Sequence, residues 1–352
     1  MTVISNLETQ PLVSIIINNF NYEQFIELAI DSALKQTYQN IEVVVVDDGS
    51  KDESCNIISA YQNRIISILK QNGGQASALN VGIEVSKGDI IFFLDADDMF
   101  LPDKVEKMMQ FFAETTQENS NVFISNYIGT VDTNGLPIDV SILDTLSTIC
   151  CWNYLDEIRG KRKKLIDGNI TRLSTSEQAY RFVAKYRFLP YLGMPTSGFA
   201  MTRSLAEKIF PLPCDAIKIS ADDFIVKAAS VLGTVYLTNY VLTKYRIHGK
   251  NNWYSSQEKP KKAFSDSLDK FLNTKLELIG KKAAFSYLNS MHAKSHYITH
   301  YGYACSNQLF ELAVKVIQWH INITTIVFFV KTTALAIIFK LKDMFPGLNF
   351  TY

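Results

Sequence analysis

Between residues 11 and 130 the chain alternates short β-branched runs with stretches of helical period, and this rhythm restricts its fold more than any other feature. The runs are Leu12–Ile17 (LVSIII), Ile41–Val46 (IEVVVV), Ile65–Leu69 and Ile90–Leu94 (IIFFL), with Val122–Tyr127 as a fifth. They lack polar alternation, so both faces of each strand need cover, as in a parallel sheet flanked by helices. Glu23–Gln36, a segment opening near Asp52, Ala76–Val85 and Asp103–Ala113 have the helical period that supplies the cover. The expected class is α/β with a mostly parallel sheet. In such sheets ligands bind beyond the carboxyl ends of the strands.

From Val131 to Leu189 the pattern is less regular and includes the basic run Arg159–Lys164 (RGKRKK), which reads as a solvated loop. A second ordered block follows: Gly198–Thr202, helices near Ser204–Ile209 and Asp223–Leu232, then strands Val235–Leu237 and Val241–Ile247. After Trp253 the signal is helical. Expected boundaries are therefore an α/β unit over 1–255, with halves of about 11–130 and 131–255, and a helical extension over 256–352. Within the extension, Ile321–Phe339 is the most apolar stretch, but Lys331, Asn322 and two Thr-Thr pairs interrupt it. A core or docking helix, an interfacial helix in peripheral contact with a membrane, and a span all stay open.

Lys and Arg total 35 and Asp and Glu total 35, a balance that excludes a general nucleic-acid binder, which needs a basic field. Five cysteines without C-x-x-C spacing make neither a disulfide scaffold nor a zinc site. The N-terminus MTVISNLETQP has no apolar leader, so the expectation is a cytoplasmic protein, at most at the inner face of a membrane.

The acids are not evenly spread. The second strand ends in Asp47-Asp48-Gly49-Ser50 and the fourth in Asp95-Ala96-Asp97-Asp98. Clustered carboxylates repel unless a cation or donors neutralise them, and Mg²⁺ or Mn²⁺ suits such oxygens and shares its shell with phosphates. Capping is the plainer explanation: Ser50-Lys51-Asp52-Glu53 fits a capping box, and Asp98 or Asp103 could start the next helix. It leaves Asp47, Asp48, Asp95 and Asp97 together unexplained. Asn72-Gly73-Gly74-Gln75 lies between the clusters, where backbone N–H groups could face a phosphate or sugar. It matches neither G-x-x-x-x-G-K-[ST] nor G-x-G-x-x-G.

VSIIINNFNYEQF through DDGSKD, QNGGQASALNVGI, KGDIIFFLDADD, SADDF and YRIHGKNN, in that order over about Pro11–Asn252, resemble glycosyltransferase family 2. The resemblance implies a GT-A fold and a nucleotide-sugar donor; the helical C-terminal extension lies beyond the stretch it covers. It implies that Asn18, Asn19 and Asn21 border the nucleotide, and that Asp47 and Asp48 form the DDGS pair, with Asp48 at a base such as uracil. Gly74 and Gln75 would belong to the donor side. Asp97 would ligate Mn²⁺ or Mg²⁺, Asp95 would hold the ribose or the ion's water, and His248 would complete the metal or diphosphate shell. Asp223 would be the catalytic base, with Asp222 where the family usually has Glu. The segment Met194–Gly198, including Ser197 and Gly198, would face the acceptor.

Such a set implies a metal-dependent inverting transfer from a UDP-sugar to a glycan or glycolipid hydroxyl in surface polysaccharide synthesis. No Q-x-x-R-W motif is present, which fits one sugar per visit. Two other classes stay on the table: a nucleotidyltransferase, which would want a basic glycine-rich loop after the first strand, and a non-catalytic sugar-nucleotide binder. Oligomeric state is not legible.

Overall fold

A computed structural model of the chain describes residues 10–138, 170–186, 189, 191–214, 220–249, 251, 262–282 and 285–286. The apolar runs are strands β1 (Val13–Asn19), β2 (Ile41–Asp47), β3 (Ile66–Leu69) and β4 (Ile90–Asp95), all parallel in the order β3-β2-β1-β4. Further strands are β5 (Met99–Phe100), β6 (Val122–Val131), β7 (Ile170–Ser174), β8 (Phe199–Thr202) and β9 (Thr234–Arg246). The sheet continues β4-β8-β6-β9-β5, with β7 also on β9. Strand β8 is antiparallel to both β4 and β6, while β6 and β9 are parallel. Thus β1, β2, β3, β4, β6 and β9 share one direction, and β8, β7 and β5 oppose it.

Alternate residues of β1, β2 and β4 enter different cores. Ile16, Val44, Ile91 and Phe93 face one layer, with helices α3 (Gln75–Val85), α5 (Ser176–Tyr186), α6 (Arg203–Ile209), α7 (Ala221–Leu232) and α8 (Lys262–Leu278). Ile15, Val43, Val45 and Phe92 face the other, with α1 (Ile26–Leu34), α2 (Ser54–Ser59) and α4 (Lys104–Thr115). This two-sided burial is why the strands read as unbroken apolar runs. Helix α8 packs on α7 through Phe271 and Phe224, ring centroids 5.4 Å apart. Fully buried Phe199 bridges the sheet, its ring 5.4 Å from Phe93 and 4.9 Å from Phe123. Truncating it as Phe199→Ala should lower the unfolding free energy by about 3–5 kcal/mol. The check is a lower urea midpoint at unchanged slope.

Several expectations need correction. The two strands expected at 235–237 and 241–247 are one strand, β9, because irregular pairing with β6 at Asn126–Ile128 accommodates extra residues of β9. Strand β7 and helix α5 fall in the stretch that read as irregular. Helix α1 begins at Ile26 rather than Glu23, after a turn in which Phe25 N–H donates to Tyr22 O. The expected capping box does not form: α2 starts at Ser54, and Ser50 serves Asp47 instead. Asp103 stands at the N-cap of α4 but makes no side-chain cap bond. Among the described residues no helix is long and apolar enough to cross a membrane. The basic run 159–164, the apolar stretch 321–339 and most of the expected extension lie outside the described residues.

Candidate active site

Parallel strands end on a common edge, and there a cleft of about 520 Å³ opens. Its walls come from the β1–α1 turn (Asn18–Tyr22), the end of β2 (Asp48) and the Asn72–Gln75 approach to α3. The end of β4 (Asp95–Asp97), the segment Tyr191–Thr196, the start of α7 (Ser220, Asp222) and the end of β9 (Tyr245, Asn251) complete them. Among the described residues the wall contains the carboxylates of Asp48, Asp95, Asp97 and Asp222 and no lysine or arginine.

The DDGS pair divides its work. Asp47 is buried and absent from the cleft wall; its carboxylate accepts from Asn19 Nδ2 (2.7 Å), Ser50 N (2.8 Å), Ser50 Oγ (2.6 Å) and Gly49 N (3.1 Å). Assigned to the donor from sequence, it instead holds the loop. Gly49 has φ +81, and a Cβ there would meet Asn72 N at 2.7 Å, so the two donor-side loops close-pack only around glycine. Ser50 Oγ also accepts Asn21 N–H at 2.8 Å, and Asn21 Oδ1 accepts Lys51 N–H at 2.8 Å. These bonds secure Asn21 at φ +58, a region asparagine tolerates.

Asp48 does reach the cleft. It accepts from Lys70 Nζ (2.6 Å), Gly73 N (2.9 Å) and Gly74 N (2.7 Å). Gly74, at φ +87, thus points its N–H at Asp48 just before α3 begins. Lys70 was not singled out by sequence; its signal is position alone, at the end of β3.

The β4 end carries the densest charge. Asp97 Oδ2 is 3.0 Å from His248 Nε2, with the side chains 12% and 5% exposed. His248 is wedged between the rings of Phe25 (5.0 Å) and Tyr22 (5.6 Å), and Tyr22 also hydrogen-bonds Asp97. Burial, and then the charge of Asp97, push the Asp95 carboxyl up to about 7, against hydrogen bonds from Asn18 and Gln75. Asp98 is buried and raised well above the carboxylate range, chiefly by desolvation. It accepts Arg246 N–H at 2.9 Å, and the Arg246 guanidinium donates to Asp97 O at 3.0 Å. Asp98 is therefore a brace between β4 and β9.

At the start of α7 the two acids part. Asp222 lines the cleft; Tyr191 Oη lies 3.0 Å from its Oδ2. Burial, then the neighbouring charge of Asp223, raise its carboxyl to about 6. Asp223 is absent from the cleft wall and pairs with Lys227 Nζ at 2.6 Å along the helix. Ser220, with φ +65 and ψ +40 in the left-handed region, turns the chain into the helix so that Asp222 faces inward. Gln75 joins the halves: its Nε2 donates to Asp95 Oδ1 at 3.2 Å, and its Oε1 accepts Ala221 N–H at 3.1 Å.

The acceptor-side expectation shifts by two residues. Pro195 and Thr196 line the cleft, but Ser197 and Gly198 do not. Ser197 is fully buried behind the acids, where its Oγ accepts Asp95 N–H at 3.0 Å and its carbonyl accepts from Lys104 Nζ at 2.6 Å. Gly198 is buried, and a Cβ there would meet Met194 Cβ at 2.6 Å. Asn18, Asn21, Gln75, Asp95 and Asp97 all face the cleft and His248 does not, whereas Asn251, Tyr191 and Tyr245 were not foreseen.

Among the described residues no three His, Cys, Asp or Glu side chains converge as a closed metal shell. The Asp97–His248 pair offers one oxygen and one nitrogen beside an open cleft, which suits a hard divalent ion whose other ligands come from phosphate and water. The buried Asn18 Oδ1, without a hydrogen-bond partner, is a further acceptor beside the acids.

An uncharacterised glycosyltransferase of Nostoc sp. PCC 7120 is 30% identical over 278 residues, 76% of each chain. The profile of Glycosyl transferase family 2 matches residues 14–187. The chain belongs to glycosyltransferase family 2. A second relative of this glycosyltransferase, from Rickettsia prowazekii, is 51% identical over 96 residues, 27% of this chain and 30% of that one. Among solved structures, S. aureus TarS residues 1–349 with UDP-GlcNAc superposes with a TM-score of 0.54 at 15% identity, covering 97% of this chain and 93% of that one. The same protein with UDP gives 0.51 at 15% identity, covering 95% and 88%. At that identity the likeness establishes the GT-A fold of this glycosyltransferase and no more.

Proposed function

We propose that this glycosyltransferase moves a sugar from a UDP-sugar to a hydroxyl of a glycan or glycolipid acceptor, by one in-line displacement that inverts the anomeric carbon. The observation that carries the reading is a single cleft whose wall holds Asp222, its carboxyl raised to about 6, and Asp97, with His248 buried against Asp97 behind that wall. Asp222 takes the proton of the acceptor hydroxyl as that oxygen attacks the anomeric carbon and the bond to the nucleoside diphosphate breaks. The base is thus Asp222 rather than Asp223, whose carboxylate is committed to Lys227. Support for a uridine donor comes from TarS, crystallised with UDP and with UDP-GlcNAc.

A diphosphate entering beside Asp95, Asp97 and Asp222 needs a counter-charge; among the described residues the wall itself holds no lysine or arginine, and Lys70 behind it is spent on Asp48. A divalent ion, Mn²⁺ or Mg²⁺, held by Asp97 and His248 would supply that charge and offset what develops on the departing diphosphate. Tyr22 and Phe25 keep the His248 ring in place, and Arg246 fixes the backbone of Asp97. Asn18 and Gln75 donate to Asp95, holding it toward the ribose or the ion's water. The product's place in surface polysaccharide or glycolipid assembly is part of the proposal, supported by family likeness alone.

The test is a panel of UDP-sugars with Mn²⁺ and simple glycan acceptors, reading UDP release and, by proton NMR, the anomeric configuration of the product. Release with inversion is expected; retention would contradict a single displacement. The pH dependence follows from the base. Asp222 must be ionised to accept a proton, so turnover should fall as pH drops through about 6 and level off above it. A rate that stays flat from pH 5 to 8 would remove Asp222 from the role.

A further inference from the structure

Tyr191 Oη lies 2.7 Å from the carbonyl oxygen of Met194 and 3.0 Å from Asp222 Oδ2. Both neighbours accept hydrogen bonds when Asp222 is ionised, and a phenol has one proton to give. The hydroxyl is therefore shared between a fixed acceptor and one whose charge changes during turnover. We propose that Tyr191 is a positioning residue for the base, turning its one proton from the Met194 carbonyl to Asp222 Oδ2 whenever that carboxyl ionises. The inference rests on Asp222 being the base.

Three features make the switch local. The phenol stays neutral, because burial, and then the charge of Asp222, hold it well above its ordinary range. The alternative acceptor, the Met194 carbonyl, is three residues along the same segment and carries no titrating charge. A charge-assisted bond is stronger than a neutral one, so the ionised carboxylate outcompetes the carbonyl. The other titratable groups acting on Asp222 are Asp223 on its own helix, Asp95 at the end of β4 and Tyr245 on β9. The backbone N–H groups of Asp222 and Asp223 also donate to the carboxylate, but no side chain of these three residues does.

The experiment uses the full chain labelled with ¹³C at aspartate Cγ and tyrosine Cζ. Signals are assigned by their loss in Asp222→Asn and Tyr191→Phe. In the native protein the Tyr191 signal should titrate with the Asp222 midpoint. In Tyr191→Phe the Asp222 midpoint should rise by about one pH unit, since the ionised form loses its donor. A 3-fluorotyrosine at position 191 keeps the shape with a better donor and should move the midpoint down. A Tyr191 signal flat across pH 5–8, or an Asp222 midpoint that neither change moves, overturns the proposal with the base assignment untouched. Full transfer by Asp222→Asn overturns the base assignment itself, and with it the catalytic meaning of the Tyr191 bond.

Discussion

Asp222→Asn should lower kcat about 10²–10⁴-fold, the usual worth of a positioned general base, while UDP affinity stays close to that of the native protein. The amide keeps the shape and can still bond Tyr191, but it cannot accept the acceptor's proton. The neighbouring change is the control. Asp223→Asn should keep most of its activity, because that side chain faces Lys227 rather than the cleft. A result in the opposite order would return the base to Asp223.

The same variant should be more stable at alkaline pH. In the folded chain the Asp222 carboxyl titrates near 6, raised by burial, against about 3.9 when unfolded. The folded state thus binds the proton more tightly. Its contribution is fully present below about pH 4 and is lost as pH rises through 6. An asparagine carries no such loss, so Asp222→Asn should gain about 1–3 kcal/mol at pH 8. Urea unfolding at pH 8 and pH 4.5 reads this; a gain of equal size at both values would refute the linkage.

The second large effect belongs to the other end of the cleft. Asp97→Ala should cut turnover about 10²-fold or more, and chelation of divalent ions should do the same to the native protein. Its signature differs from that of Asp222→Asn, since loss of the counter-charge should weaken UDP binding as well as kcat. His248→Ala should give the same pattern in milder form, because Asp97 and phosphate oxygens remain as ligands. Full activity of Asp97→Ala in the presence of chelator would remove the ion from the reaction.

Much of the fold was legible because a parallel sheet buried on both faces leaves a strong signature, and β1, β2 and β4 are such strands. Asp97 drew notice as part of the acid cluster at the end of β4 and His248 only through the family resemblance; they meet at 3.0 Å because parallel strands end on one edge. What failed was direction. Asp222 and Asp223 are adjacent on a helix, so their side chains diverge by about 100°. Which one faces the cleft depends on how the chain enters α7, and the left-handed Ser220 that sets this has no mark in the sequence. Asp47 and Asp48 raise the same ambiguity, since side chains alternate along a strand and the last residue of β2 turns from the cleft. Ser197 looked like an acceptor contact but is spent inside the protein, on Asp95. Tyr191 gave no sequence signal, because its importance is one hydroxyl meeting a residue 31 positions away.

The most direct measurement is calorimetric titration of UDP into the full chain, once with Mn²⁺ and once after removal of divalent ions. An ion held by Asp97 and His248 predicts binding that falls sharply without the ion and that is also lost in Asp97→Ala. UDP binding of equal strength with and without the ion, or no binding in either case, would contradict it.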